Sequence, residues 1–311
     1  KLESIPGYRT SLDRNEFIDN VNRIGIALVG QSGNLAPADK KIYALRDVTA
    51  TVGCLPLIVS SIMSKKIAAG SQNILLDVKV GTGSFTPKLE DAIKLAQKMV
   101  DVGKLAGRKI AALITNMDVP LGKAIGNSME IIEACEILQN KGPADLREVC
   151  VELSAYMVLL CTNDSYENCR KKVLESLENG SAYNKFKQLV SVQGGDSTYI
   201  DNPDLFKKAT YSYDIKATQS GYVFSMDTAC IGEVSLMLGA GREKKEDSID
   251  YEAGIYIHAK TGDKVEKGQV IATLHTNRKH IIHEAELEYL KTLPFSKNAP
   301  PHQKLIYQLV K

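Results

Sequence analysis

The sequence predicts an α/β protein, and three observations support this fold class. The strand-like segment NILLDVKV (residues 73–80) precedes an amphipathic helical segment and a second strand-like segment, and this order is the unit of a parallel sheet. Residues 127–192 then carry helical periodicity almost throughout. From about residue 206 the apolar residues alternate with polar ones, which predicts a separate α+β domain.

Each element has its own local signal. Asp13 and Glu16 have the spacing of a capping box at the start of a helix. Proline is tolerated in a first helical turn and glycine is common after the last one, so Pro56 and Gly70 delimit another helix. In chain order we expect a helix over 13–24, a strand over 24–30, helices within 36–49 and from Pro56 towards Gly70, a strand over 73–80, a helix over 90–107, a strand over 109–115, helices within 127–140, 143–161, 166–179 and 183–192, and short strands within 220–226, 254–260 and 269–275.

Composition narrows the class of protein without naming a function. The 39 Lys and Arg residues nearly balance the 37 Asp and Glu residues, and no long block of one sign indicates nucleic acid as a partner. The N-terminus has no apolar signal region and no run of apolar residues is long enough to span a membrane. The six cysteines form no CxxC pair, which favours reduced thiols. We therefore expect a cytoplasmic protein with neither nucleic acid nor membrane as a partner.

Three short motifs each have an ordinary interpretation beside a functional one. GTGSF (81–85) either offers N–H groups to an anion at the end of a strand or is a plain turn, and the plain turn is favoured. HIIH (280–283) lacks a third ligand for a metal site. GDKVEKGQVIATL (262–274) resembles the closing strands of lipoyl- and biotin-carrier domains, although a β-rich domain without a prosthetic group is the favoured interpretation.

The stretch YALRDVTATVGCLPLIVSSIMSKK (43–66) contains the candidate binding residues. Ser61 and Lys65 are four residues apart, so they share a helix face, and Ile58 adds an apolar wall. Arg46, at the end of the preceding helix, approaches from the side. Such donors suit a planar ring with two carbonyls, like uracil or thymine. The alternative is that Lys65 complements a helix C-terminus and that Arg46 pairs with Asp39 or Asp47.

Longer segments resemble one known family. They are KLESIPGYRTSL (1–12), GQSGNLAPADKKIYALRDVTATV (30–52), SIMSKKIAAG (61–70), LLDVKVGTGSF (75–85) and PLGKAIGNSMEI (120–131). Together, and in this order, they resemble the pyrimidine-nucleoside phosphorylase and thymidine phosphorylase family. The resemblance implies the nucleoside phosphorylase/phosphoribosyltransferase type of α/β domain, with part of a small helical domain and a C-terminal α+β domain. It also implies reversible phosphorolysis of uridine- or thymidine-type nucleosides, with phosphate as co-substrate, by a homodimer.

The resemblance also assigns roles to residues. It implies that Arg46, Ser61 and Lys65 bind the pyrimidine base, with Arg46 and Lys65 stabilising the charge that develops on the ring. It implies that Tyr43, Val52 and Ile58 line the base pocket. A structural potassium ion is expected as well, bound by the backbone carbonyls of Leu121 and Ala124 and the carboxylate of Glu133, since an alkali cation needs hard oxygen donors.

The resemblance further implies domain boundaries. We expect residues 1–36 and 74–205 to belong to the α/β domain, 37–73 to a small helical domain and 206–311 to the C-terminal domain. The family's phosphate-binding glycine loop is expected to precede residue 1, so the phosphate half-site is not among these residues. Two alternatives stay open: a phosphoribosyltransferase of the same fold, such as anthranilate phosphoribosyltransferase, and a non-catalytic fragment or binding module.

Overall fold

The computed structural model describes residues 1–30, 35–46, 49, 51, 53–242, 244 and 246–311. The α-helices are α1 (Arg14–Ile24), α2 (Pro37–Arg46), α3 (Leu55–Ala68), α4 (Leu89–Leu105), α5 (Asn127–Leu138), α6 (Ala144–Cys161), α7 (Tyr166–Glu178), α8 (Ser181–Val192), α9 (Thr198–Asp201), α10 (Thr228–Ser235) and α11 (Ile282–Lys291). The strands are β1 (Asn73–Val80), β2 (Lys109–Asn116), β3 (Ala124–Gly126), β4 (Tyr211–Lys216), β5 (Gly221–Val223), β6 (Gly254–Ile257), β7 (Lys264–Val265), β8 (Val270–Thr276), β9 (Phe295–Ser296) and β10 (Ile306–Val310).

The chain forms two compact units, each assembled from separate stretches of sequence. The first unit comprises Lys1–Val29, Asp118–Arg147 and Ser176–Gln303. The second comprises Gly30–Met117, Glu148–Glu175 and Lys304–Lys311. The four-segment domain division expected from the sequence stays a prediction.

The second unit contains the expected strand–helix–strand unit. Strands β1 and β2 pair in parallel, and β10 adds to the other edge of β2 in the antiparallel direction. The central strand β2 is buried along nearly its whole length, as expected for a strand covered on both faces. Helix α4 packs against the sheet through Ala92, Ala96 and Met99. The predicted strands at 73–80 and 109–115 and the helix between them are therefore confirmed.

The first unit is built around antiparallel sheets, as the alternation after residue 206 predicts. One sheet has the strand order β3-β6-β8-β4 and another has the order β7-β5-β9. Its largest apolar cluster includes Ile255, Ile257 and Leu274 from the strands and Tyr289 from α11, all with no exposed surface. Strand β3 comes from the middle of the chain, so it joins the 118–126 segment to the C-terminal sheet.

The N-terminal region confirms one prediction and contradicts another. Helix α1 begins at the expected capping box, in which the Asp13 side chain accepts from N–H groups of the first turn and Glu16 bonds back to the Asp13 N–H. The strand expected over 24–30 is wrong, because the residues after α1 form no strand. Instead, the Leu28 N–H donates to Oε1 of Gln193 and the Leu28 C=O accepts from Nε2 of the same side chain, each at 2.8 Å. A side-chain amide thus takes the place of a partner strand.

The remaining helices expected over 127–192 are present as α5, α6, α7 and α8. In the described part of the chain no helix is both long and apolar enough to cross a membrane. All six cysteines are free thiols.

Candidate functional site

Helix α3 carries the two polar residues that the sequence places on one face. The Lys65 Nζ donates a hydrogen bond to the Ser61 Oγ at 3.0 Å, as their i, i+4 spacing predicts. Ser61 is buried, with 4% of its surface exposed, whereas Lys65 is partly exposed. The shared face is confirmed, and it presents an ammonium group supported by a buried hydroxyl.

Helix α2 supplies two further groups around the same ammonium. The Lys65 Nζ lies 3.1 Å from the Asp39 Oδ2 and 5.6 Å from the centroid of the Tyr43 ring, a distance that allows a cation–π interaction. Asp39 and Tyr43 are one helical turn apart, so one face of α2 provides both. The sequence suggests Asp39 only as a partner for Arg46. The spacing of Asp39 and Tyr43 indicates that they share a face of α2. Their contact with Lys65 depends on how α2 packs against α3, which the spacing does not reveal.

A cavity of about 530 Å³ opens beside these residues. This volume falls in the usual range for small-molecule sites. Its lining is mixed, with Ile58 as expected, other apolar side chains, and polar groups that include Ser61 and Lys65. The lining residues are Tyr43, Gly53, Leu55, Ile58, Ser61, Ile62, Lys65, Phe85, Thr86, Asp91 and Lys94.

The turn after β1 contributes Phe85 and Thr86 to this cavity, and Phe85 is 94% exposed. The backbone N–H groups of this turn largely donate hydrogen bonds within the protein. The Gly81 N–H donates to the Thr86 C=O, the Gly83 N–H to the Met117 C=O and the Ser84 N–H to the Gly81 C=O. The geometry therefore favours the plain turn over an anion site at GTGSF, and the exposed Phe85 ring is what the turn presents to the cavity.

Two members of the expected base site cannot be placed. Val52 lies outside the described residues. Arg46 is the last residue of α2, and its side chain lies outside the described part of the structure. The structure thus brings together Tyr43, Ile58, Ser61 and Lys65, while the roles of all six residues stay predictions.

The expected potassium ligands lie in the first unit, and the carboxylate among them is buried. Glu133 on α5 has 6% of its surface exposed. Its Oε1 accepts from the Lys123 N–H at 2.8 Å and from the Ala124 N–H at 3.1 Å. An extended residue directs its N–H and C=O to the same edge of a strand. The Ala124 carbonyl is therefore on the side of β3 that Glu133 faces, which fits a hard-oxygen donor set.

The segment before β3 is tightly held by other side chains. The Asp145 Oδ2 accepts from the Gly122 N–H at 3.3 Å, and the Lys260 Nζ donates to the Pro120 C=O at 2.6 Å and forms an ion pair with Asp145. Gly122 has φ +74°, a conformation that favours glycine. A Cβ there would lie 2.2 Å from the Glu133 Oε2, so glycine also makes room for the carboxylate.

Opposing effects act on the charge of Glu133. Burial raises the pKa of Glu133 above its ordinary value of 4.5. The N–H groups of Lys123 and Ala124 and the charge of Lys260 oppose that rise by favouring the carboxylate. A bound cation would add to this stabilisation of the ionised form.

The histidine motif is separated between two elements. His280 lies in the 3₁₀ turn Lys279–Ile281, while His283 belongs to α11 and its Nδ1 lies 3.8 Å from Glu286 Oε2. No group of three or more His, Cys, Asp or Glu side chains suited to a metal ion occurs among the residues that the structure describes.

Comparisons with known proteins agree with the segment-by-segment resemblance. Residues 1–183 match the family model described as "Glycosyl transferase family, a/b domain", and residues 222–296 match the "Pyrimidine nucleoside phosphorylase C-terminal domain". The chain is 49% identical over 282 residues to the pyrimidine-nucleoside phosphorylases of Staphylococcus aureus strains bovine RF122 / ET3-1 and USA300. The chain belongs to the pyrimidine-nucleoside phosphorylase family.

The expected site residues all lie within the family match. The 1–183 segment includes the cavity on α2 and α3 and the Glu133 site. The alignment covers 90% of this chain and 65% of the length of these relatives. Family membership and the α/β fold class are thus established.

Proposed function

We propose that this protein is a pyrimidine-nucleoside phosphorylase, which transfers a pentose reversibly between a pyrimidine base and phosphate. The observation that carries the proposal is the Lys65 ammonium, hydrogen-bonded to Ser61 and facing a cavity of base-accommodating size. The family match suggests a substrate for this geometry, because the relatives are named pyrimidine-nucleoside phosphorylases. The match at 222–296 favours the phosphorylase over a phosphoribosyltransferase.

The proposed chemistry relies on charge placement. As phosphate attacks C1′ and the bond to N1 breaks, negative charge spreads from N1 to the carbonyl oxygens of the ring. Lys65 and Arg46 stabilise this charge, which is largest in the transition state, and such preorganised groups raise a rate. The Ser61 hydroxyl accepts from Lys65 and keeps its own proton and a lone pair for orienting the ring at its N3 side. No covalent intermediate is required.

Tyr43 and Ile58 line the cavity that would hold the base. We propose the same role for Val52. The cation–π distance between Tyr43 and Lys65 supports a further role for the ring, in which its negative face helps to keep the ammonium at the base.

A structural potassium ion is part of the proposal. The Leu121 and Ala124 carbonyls and the Glu133 carboxylate would hold it, and the ion would supply positive charge to a buried carboxylate. The orientation of β3 relative to Glu133 and the oxygen character of the donors support this assignment. The protein is further proposed to act in the cytoplasm as a homodimer.

The direct test combines base binding with catalysis. Calorimetric titration with uracil and thymine measures the base site, and release of free base from uridine and thymidine in the presence of phosphate measures phosphorolysis in protein that includes the phosphate-binding loop expected before residue 1. Lys65→Met should lower kcat/KM by on the order of a hundredfold, by analogy with the loss of one oxyanion donor. It should also weaken base binding.

Lys66→Met is the matched control, because Lys66 is the exposed neighbour on the same helix and should leave both readouts unchanged. Equal effects of the two variants would contradict the role of Lys65. Absence of both base binding and phosphorolysis in the wild type would contradict the proposed function. Consumption of a free base together with phosphoribosyl pyrophosphate, with release of pyrophosphate, would favour the phosphoribosyltransferase, and a mass increase from lipoyl or biotin would favour the carrier.

A further inference from the structure

Among the residues that the structure describes, only two acidic residues are buried, and these are Asp39 and Glu133. Asp39 has 8% of its surface exposed. A buried ionised carboxylate is costly unless a positive charge lies close to it. Within the described structure, no aligned hydrogen bond reaches its Oδ2, and the Lys65 ammonium at 3.1 Å compensates the charge.

The arrangement constrains the direction of the lysine. An ammonium group has three N–H donors. One donates to Ser61 Oγ at 3.0 Å and a second is attracted by Asp39, on the opposite helix. The hydrogen bond to Ser61 and the attraction of Asp39 together restrict where the ammonium can lie, and Lys65 itself lines the cavity. A long flexible side chain held in this way loses little further freedom when it meets a ligand oxygen.

We propose that Asp39 is a positioning residue, which holds the Lys65 ammonium so that its remaining N–H meets a carbonyl oxygen of a pyrimidine base in the cavity. The inference rests on the proposed function, since it takes the base as the ligand of Lys65. Asp39 acts through Lys65 and does not itself touch the base. The negative charge of its carboxylate attracts the Lys65 ammonium, and its position on α2 determines the direction in which the ammonium is drawn.

A double-mutant cycle tests this role. Asp39→Asn keeps the size of the side chain and removes its charge, and we expect uracil and thymine to bind about tenfold more weakly, because a misplaced ammonium contributes less to the ligand. In the Lys65→Met background the same substitution should have no further effect on base binding, since coupled residues are not additive. Asp39→Glu, which restores the charge one methylene further out, should recover part of the affinity.

Asp101→Asn is the matched control. Asp101 is an exposed aspartate of α4 in the same unit and accepts a hydrogen bond from Gln97. Its substitution should leave base binding unchanged. Wild-type affinity in Asp39→Asn, or equal losses from Asp39→Asn with and without Lys65, would overturn the positioning role.

The outcomes also separate this inference from the proposed function. If the wild type binds neither base, both fail. If Lys65→Met loses base binding and Asp39→Asn does not, only the inference fails. Should Asp39→Asn not fold, Asp39→Glu becomes the test. It keeps the charge but displaces it by one methylene, so uracil and thymine should bind more weakly than to the wild type. Wild-type affinity in Asp39→Glu would then overturn the proposal.

Discussion

Replacing Glu133 by alanine tests how the buried carboxylate organises the segment before β3. The substitution removes the acceptor of the Lys123 and Ala124 N–H groups. A buried donor left without a partner costs about 1–3 kcal/mol, so two such donors would destabilise the protein by several kcal/mol. Two effects reduce this loss. Water can enter the space left by the side chain, and the raised pKa of Glu133 shows that burial of its charge is itself unfavourable.

From these opposing terms we expect Glu133→Ala to lower the free energy of unfolding by about 2 kcal/mol at pH 7. Urea denaturation followed by circular dichroism measures the change. Glu136→Ala is the control, because Glu136 is an exposed residue of the same helix and should shift stability by less than about 0.5 kcal/mol. Equal losses from both substitutions would refute the reasoning.

The pH dependence of the free energy of unfolding gives a second, independent test of the burial of the Glu133 carboxyl. A carboxyl whose pKa is raised in the folded state binds more protons there than in the unfolded state. In potassium-free buffer its contribution to stability therefore falls as the pH rises from the ordinary value of 4.5 through the raised value. Glu133→Gln cannot titrate, so this decrease should be absent from its stability profile. A decrease that persists unchanged would place its origin in another group.

Two further predictions concern polar groups of the first unit that are buried or partly buried. Gln193→Ala should lower the free energy of unfolding by about 2 kcal/mol, because the side chain of this fully buried residue hydrogen-bonds to the Arg9 C=O and to both backbone groups of Leu28. Denaturant unfolding measures this loss. Gln188 is exposed, so Gln188→Ala is the control, and an equal loss in that variant would contradict the prediction. Burial lowers the pKa of His275 below 6.5, so below that pH the unfolded state binds more protons and stability should fall as the pH drops. His275→Gln should lessen that fall in unfolding midpoints measured between pH 5 and 8, whereas substitution of the exposed His302 should not; identical profiles for wild type and His275→Gln would disprove the assignment.

Local signals predicted the elements whose formation depends on neighbouring residues. The capping box at Asp13 and Glu16 marks the start of α1, and the apolar pattern of 73–115 yields a strand, a helix and a parallel strand. Such signals are complete within one or two turns of chain, so they can be recognised without knowing the fold.

Features that depend on distant residues escaped the sequence pattern. The segment after α1 is apolar enough to suggest a strand, yet its backbone bonds to Gln193, 165 residues away from Leu28. Glu133 has the spacing of an ordinary helix residue, and only the approach of the 122–124 backbone gives it partners. Asp39 meets Lys65 through the packing of α2 on α3. In each case a polar side chain bonds to or pairs with a group whose proximity cannot be predicted from spacing along the sequence.

Asp39 and Glu133 are both buried acidic residues, and they illustrate different uses of the same costly group. Glu133 accepts backbone N–H groups with one oxygen, so its charge is offset by fixed dipoles that hold a strand in register. Asp39 has a side-chain cation as its partner, so its charge can instead set the direction of a side chain. Fixed dipoles cannot be redirected by a ligand, whereas an ammonium can exchange partners. Loss of Glu133 should therefore appear mainly in stability, and loss of Asp39 mainly in the affinity for a pyrimidine base.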